Sequence, residues 1–137
     1  MINFRLELND FPPVKSAANI MRQYQYEYKD YLSAALIVCG WDKINGPQIY
    51  SVGLGGTVSR QEIALSGSGS AFIYGFCDVN YKSKMSKQEC RDFLVKALSL
   101  AMHRDNSSGG IIRLVDINRD GYQRDVIRHD DVLAQNH

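Results

Sequence analysis

Two short polar stretches carry residue types that can hold a reacting group. Ser66-Gly67-Ser68-Gly69-Ser70 lies between a strand-like and a helix-like segment, where backbone N–H groups and hydroxyls can converge on an anion or a reacting centre. It has no Lys-Ser/Thr of a phosphate loop, does not fit G-x-G-x-x-G, and is not the G-x-S-x-G elbow of a hydrolase. The same residues suit a tight turn in which small side chains let a helix approach a strand. Arg104-Asp105-Asn106-Ser107-Ser108-Gly109-Gly110 follows the clearest helical pattern and precedes a strand-like run. It reads as a polar helix end with a glycine turn, or as a buried Asp whose neighbouring hydroxyls orient an amine or hydroxyl by charge-assisted hydrogen bonds. The two corners together say more than either one alone.

Other constellations lead nowhere. Cys39, Cys77, Cys90 and His103 form no C-x-x-C or H-x-x-x-H pair, so no zinc or other metal site is expected. His129 and His137 lie near the end of the chain, where solvated side chains are expected. Tyr24, Tyr26, Tyr28 and Tyr31 are interleaved with Glu27, Lys29 and Asp30, a mixture of signs that fits core plus surface and not a base-stacking platform.

The elements that must position the corners follow from the spacing of apolar residues. Residues 1–9 read as the last turns of a helix, and Pro12-Pro13 opens a second one, with Ala17, Met21, Tyr24, Tyr28 and Tyr31 at helical spacing to about Leu32. Ala34 to Trp41 and Gln48 to Val52 read as a hairpin of buried strands about the turn Asn45-Gly46-Pro47, and Arg60 to Leu65 as a third strand. A short helix is expected over 71–81. Ser86-Lys87-Gln88-Glu89 matches a capping box, after which Cys90, Phe93, Leu94, Ala97, Leu98 and Ala101 form one apolar face. Ile111 to Ile117 and Tyr122 to Arg128 read as strands joined by Asn118-Arg119-Asp120-Gly121, and residues 130–137 as a frayed end. Helix, helix, three strands, two helices and two strands, with antiparallel connections, give an α+β fold in a single domain over 1–137.

Of the 137 residues, 45% are hydrophobic, and 16 Lys plus Arg oppose 15 Asp plus Glu. A net charge of +1 leaves no whole-protein field to attract nucleic acid or an anionic membrane, so neither is expected as a partner. The longest apolar run, Ala34 to Trp41, is far short of the roughly 20 residues of a bilayer-spanning helix. Met1 to Arg5 shows no secretory signal pattern, which leads to an intracellular expectation. Three widely spaced cysteines in apolar surroundings are expected to be buried, reduced thiols.

From Leu6 to about Arg128 the chain resembles beta-type subunits of the eukaryotic 20S proteasome, most closely the branch with caspase-like, post-acidic specificity. The carrying motifs are Leu36-Ile37-Val38-Cys39-Gly40-Trp41-Asp42, Gly67-Ser68-Gly69-Ser70 followed by Phe72-Ile73-Tyr74-Gly75, Asp78 with Tyr81, Glu89-Cys90-Arg91, and Ala101 to Gly110. The resemblance implies an αββα sandwich of the N-terminal-nucleophile hydrolase type, missing its first strands. Strands 34–41, 48–54 and 60–66 would contribute to one sheet and the last two strands to the other.

In that family an N-terminal threonine attacks the peptide carbonyl, assisted by an Asp and a Lys. Ser68, Asp105 and Ser108 match the residues that hold and polarise that terminus. The threonine start, the acid, the lysine, the oxyanion glycine and the basic specificity residue have no counterpart in the chain. The expectation is a supporting shell without peptidase activity of its own, marginally stable and prone to associate. The resemblance also implies alpha- and beta-type subunits in stacked heptameric rings as partners. It further implies unfolded polypeptides as substrates in ubiquitin-linked protein degradation, no cofactor, and a place in the cytoplasm and nucleus. A different reading of the Gly67 to Ser70 corner is a stand-alone small-anion or peptide-binding module.

Overall fold

The computed structural model describes residues 12–128. The expected helix over 1–9 and the frayed end over 130–137 lie outside them. Two compact units emerge, one running to Ala64 and including Ile117–Tyr122, the other comprising Leu65–Asp116 and the residues from Gln123 onward.

In the first unit, α1 (Val14–Glu27) follows Pro13, whose carbonyl accepts from the Ser16 and Ala17 amides at 3.0 and 3.2 Å. Proline offers no side-chain cap. The Val14 N–H is instead taken up by Asp42 Oδ2 at 3.0 Å, so a carboxylate from a neighbouring strand does the work of an N-cap. α1 stops short of the expected Leu32. Its buried stripe is Val14, Ala17, Ala18 and Gln25, whereas Tyr24, Tyr26, Tyr28 and Tyr31 are exposed. Among the described residues nothing buries those rings, and the chain leaves the helix through a turn at Tyr28–Leu32.

β1 (Leu36–Asp42), β2 (Gly46–Val52) and β3 (Val58–Gln61) form an antiparallel sheet in that order. Leu36 faces Val52 and Asp42 faces Gly46 in the first pair, while Ile49 faces Gln61 and Val52 faces Val58 in the second. Gly46 closes the three-residue turn at φ +67°, a conformation that a side chain would strain. Only β2 fits the expected buried strand, with Gln48, Tyr50 and Val52 turned inward on alternate residues. Among the described residues β1 lies at the edge of this sheet, and Leu36, Ile37 and Cys39 are exposed along it, so its apolar run does not mean burial on both faces. The core gathers Val14, Ala18, Tyr50 and Val52, flanked by Val38 and Val58. Helix and sheet meet closely where a Cβ on Gly40 would stand 3.0 Å from Val14 Cγ2.

In the second unit, the helix expected over 71–81 resolves into a 3₁₀ turn (Ser68–Phe72) and α2 (Tyr74–Asn80). α3 (Lys87–Arg104) starts on the expected capping box: Ser86 Oγ accepts from the Glu89 N–H, and the Glu89 carboxylate accepts from the Ser86 N–H. Its buried face is narrower than the sequence pattern. Phe93, Ala97 and Ala101 are buried, while Cys90 and Leu94 are exposed. Phe93 stacks on Phe76 of α2 at 5.8 Å.

β4 (Ile111–Asn118) and β5 (Gly121–Arg128) make a separate two-stranded sheet. Lys87 Nζ pairs with Asp116 at 2.5 Å, and Arg91 with Asp125. Of the three free thiols only Cys77 is buried, which corrects the expectation for Cys39 and Cys90. The mixture of helices and antiparallel sheets is α+β, as the pattern of elements implies. No helix among the described residues is long and apolar enough to cross a membrane.

Candidate functional site

Ser68, Asp105 and Ser108 meet in the second unit. Ser68 Oγ donates to Asp105 Oδ2 at 2.6 Å across 37 sequence positions, and Ser108 Oγ donates to the same oxygen at 2.5 Å. Both lengths suit O–H donors on a carboxylate. The other oxygen, Oδ1, accepts from the Ser107 N–H at 3.2 Å.

Backbone geometry places each member. Asp105 is the residue at which α3 ends: its N–H still reaches the Ala101 carbonyl at 2.8 Å, while φ −98° and ψ 115° turn the chain away from the helix. Ser108 returns its own N–H to the Asp105 carbonyl at 3.3 Å, folding the following turn back over the carboxylate. On the other side, Gly67 at φ +98° swings the chain into the 3₁₀ turn, and its carbonyl accepts from Ser70. Gly69 is buried, and a Cβ there would lie 3.1 Å from Ala101 Cβ and 3.4 Å from Asp105 Oδ2. The turn therefore rests directly on the helix, and that approach delivers Ser68 to the carboxylate.

Asp105 is buried and Ser68 is exposed, so the cluster runs from the interior to the surface. Hydrogen bonds from Ser108, Ser68 and the Ser107 amide, in that order of size, hold the Asp105 carboxyl below the usual carboxylate range. An ionised carboxylate has no proton to give, and both hydroxyl protons are committed to it. Each serine oxygen keeps its lone pairs. The cluster thus presents negative charge and acceptors, an arrangement suited to an ammonium or a hydroxyl donor and repellent to an anion. That polarity leaves a small-anion site at this corner without support. Among the described residues no three His, Cys, Asp or Glu gather into a group able to hold a metal ion.

The sequence reading named all three side chains but missed two backbone features. The Ser107 amide follows from the Asx-turn habit of an Asp two residues before a donor. The need for a hydrogen at Gly69 has no local signal, because the atoms it avoids belong to Ala101 and Asp105.

Comparison with known proteins gives the lineage. The family model described as "Proteasome subunit" matches residues 1–117. Proteasome subunit beta type-9 of Salmo salar is 48% identical over 132 residues, covering 93% of this chain and 60% of the relative. Proteasome subunit beta type-9 of Homo sapiens is 50% identical over 122 residues, covering 89% and 55%. The probable proteasome subunit beta type-1 of Schizosaccharomyces pombe is 47% identical over 121 residues, covering 88% and 54%. The chain thus spans somewhat over half the length of these curated relatives. With the family model matching most of its residues and beta-type subunits aligned across nearly all of it, the chain belongs to the proteasome subunit family, among the beta-type members.

Proposed function

We propose that the chain supplies the later part of a threonine-dependent, post-acidic peptidase subunit of the 20S proteasome core, with Ser68, Asp105 and Ser108 as the shell that orients its nucleophile. The observation that supports this most is the meeting of two hydroxyls, 37 and 3 positions from Asp105, on one carboxylate oxygen. A threonine hydroxyl is a weak nucleophile and needs a nearby base. When that base is the residue's own α-amine, the amine must be held still and its ammonium form stabilised once the proton has moved. Lone pairs on two serines polarised by Asp105 do both, accepting from the ammonium while the carboxylate supplies the compensating charge.

In this reading the 137 residues hold the orienting shell without the nucleophile and hydrolyse no peptide by themselves. They take their place beside other alpha- and beta-type subunits in stacked heptameric rings, in the cytoplasm and nucleus, and the substrates are unfolded polypeptides. The two sheets belong to the αββα sandwich of the N-terminal-nucleophile hydrolases.

The test is cleavage of peptides with an acidic residue before the scissile bond. Residues 1–137 alone should give no turnover above buffer. Co-expression with the other subunits and with a polypeptide that begins at a family-type threonine should give turnover that falls roughly 10²-fold or more with Ser68→Ala or Asp105→Ala. Turnover by the chain alone that survives both substitutions would overturn the proposal.

A further inference from the structure

Two adjacent serines follow Asp105 and have opposite fates. Ser108 is spent on the carboxylate, whereas Ser107 is exposed and touches the cluster through its amide, which donates to Asp105 Oδ1. Ser107 is also the one Ser or Thr in the whole sequence with an arginine three positions before it. That arginine, Arg104, is itself exposed at the end of α3. We propose that Ser107 is a phosphorylation site for a protein kinase that reads a guanidinium three residues ahead of its target, and that the modification switches off the neighbouring cluster.

In the transfer, Ser107 Oγ forms a bond to the γ-phosphorus of a nucleoside triphosphate as the bond from that phosphorus to the β–γ bridging oxygen breaks. The nucleoside diphosphate departs with the electron pair, and the hydroxyl proton passes to the kinase's base and then to solvent. The product carries nearly two negative charges and three strong acceptor oxygens. Placed within the turn that closes over Asp105, it sets like charge beside a carboxylate. It also offers the Ser68 and Ser108 hydroxyls and the local amides a competing acceptor. Both effects loosen the bonds that orient the two serine oxygens. Ser107 lies on an exposed segment between α3 and β4, outside any helix or strand, so a kinase can engage it without unpairing a sheet or unwinding a helix.

The regulatory half of this inference rests on the role proposed above for the cluster, whereas its readouts do not involve peptide hydrolysis. The full 137-residue chain is incubated with ATP and a kinase of that arginine-directed class, and the phosphorylated residue is mapped by mass spectrometry. Phosphate should appear on Ser107, vanish in Ser107→Ala and fall at least fivefold in Arg104→Ala. Nuclear magnetic resonance of the phosphorylated chain should show the Ser68, Asp105 and Ser108 signals displaced together, with no change in Ser107→Ala given the same treatment. Phosphate confined to other residues, or incorporation indifferent to Arg104, overturns the site. Phosphate on Ser107 with the Ser68 and Ser108 signals unmoved overturns the switch. Loss of the peptidase proposal alone would leave both of these results standing.

Discussion

Asp42 and Asp105 are both buried, both sit at the end of a regular element and both have carboxyls held below the usual range. Their partners differ. Asp42 accepts from the Val14, Ile44 and Asn45 amides and from Gln48 Nε2, with no hydroxyl among them. Burial pushes its carboxyl up, and the bonds from Asn45, Val14, Gln48 and Ile44 together outweigh that and bring it to about 2. Asp105 is served mainly by two hydroxyls, groups that can accept a new hydrogen bond while donating the old one. An aspartate surrounded by amides is finished, and its role is to join α1 to the β1–β2 turn. An aspartate surrounded by hydroxyls still has valence directed at a visitor.

Substitution should separate the two most sharply. Asp42→Ala strands three backbone amides and should cost roughly 3 kcal/mol, read from urea unfolding followed by the fluorescence of Trp41, the single tryptophan, which adjoins it. Asp105→Ala should move the Trp41 transition much less. Equal losses would mean that the two aspartates play the same structural part.

The next largest effect is steric. Gly69→Ala should cost about 1–3 kcal/mol through the clash with Ala101 Cβ, and Ala101→Gly in the same chain should recover part of it. Failure of that rescue would mean that the 3₁₀ turn is held by something other than its contact with α3.

Acid titration sharpens the contrast further. Asp42 titrates near 2 when folded against an ordinary value of 3.8, so its contribution to stability is whole above about pH 4 and drains away as the pH falls toward 2. Asp105 shifts in the same direction, with the serines as the main cause. The double substitution Ser68→Ala, Ser108→Ala should therefore raise the Asp105 midpoint and leave that of Asp42 in place, as followed by carboxyl resonances. The smallest effect belongs to the Lys87–Asp116 pair, whose lysine is exposed and whose aspartate is half-buried, where Lys87→Ala should cost less than about 1 kcal/mol and the loss should shrink further in high salt.

What could be read from the sequence divides along the range of the interactions. The start of α3 was legible because Ser86 and Glu89 are three residues apart and specify a cap without outside help. The boundaries of β1 and β2 were nearly right because turn chemistry at Asn45-Gly46 is local. The exposure of Leu36 and Ile37 was not legible, since an apolar run does not say whether a second layer covers it. The same gap misplaced the tyrosines of α1 and the thiols of Cys39 and Cys90.

Ser68, Asp105 and Ser108 could be named as two polar corners from residue types, but their convergence came only from the family resemblance, because 37 positions separate the partners. One local oddity did point there. An acidic residue at the C-terminal end of an 18-residue helix opposes the helix dipole, and such a violation of local preference marks a site held for another reason.

The buried row Tyr50, Gln48 and Asp42 carries a consequence of its own. A carboxylate can only accept, so the Gln48 amide must present its NH₂ to Asp42 and its oxygen to the Tyr50 hydroxyl, leaving the phenol no choice but to donate. The polarity of the whole row is dictated from one end. Exchanging that single NH₂ for oxygen, as Gln48→Glu does, would set two acids face to face, and the interior would have to bind a proton that the native row never needs. One nitrogen thus keeps this core indifferent to pH across the neutral range.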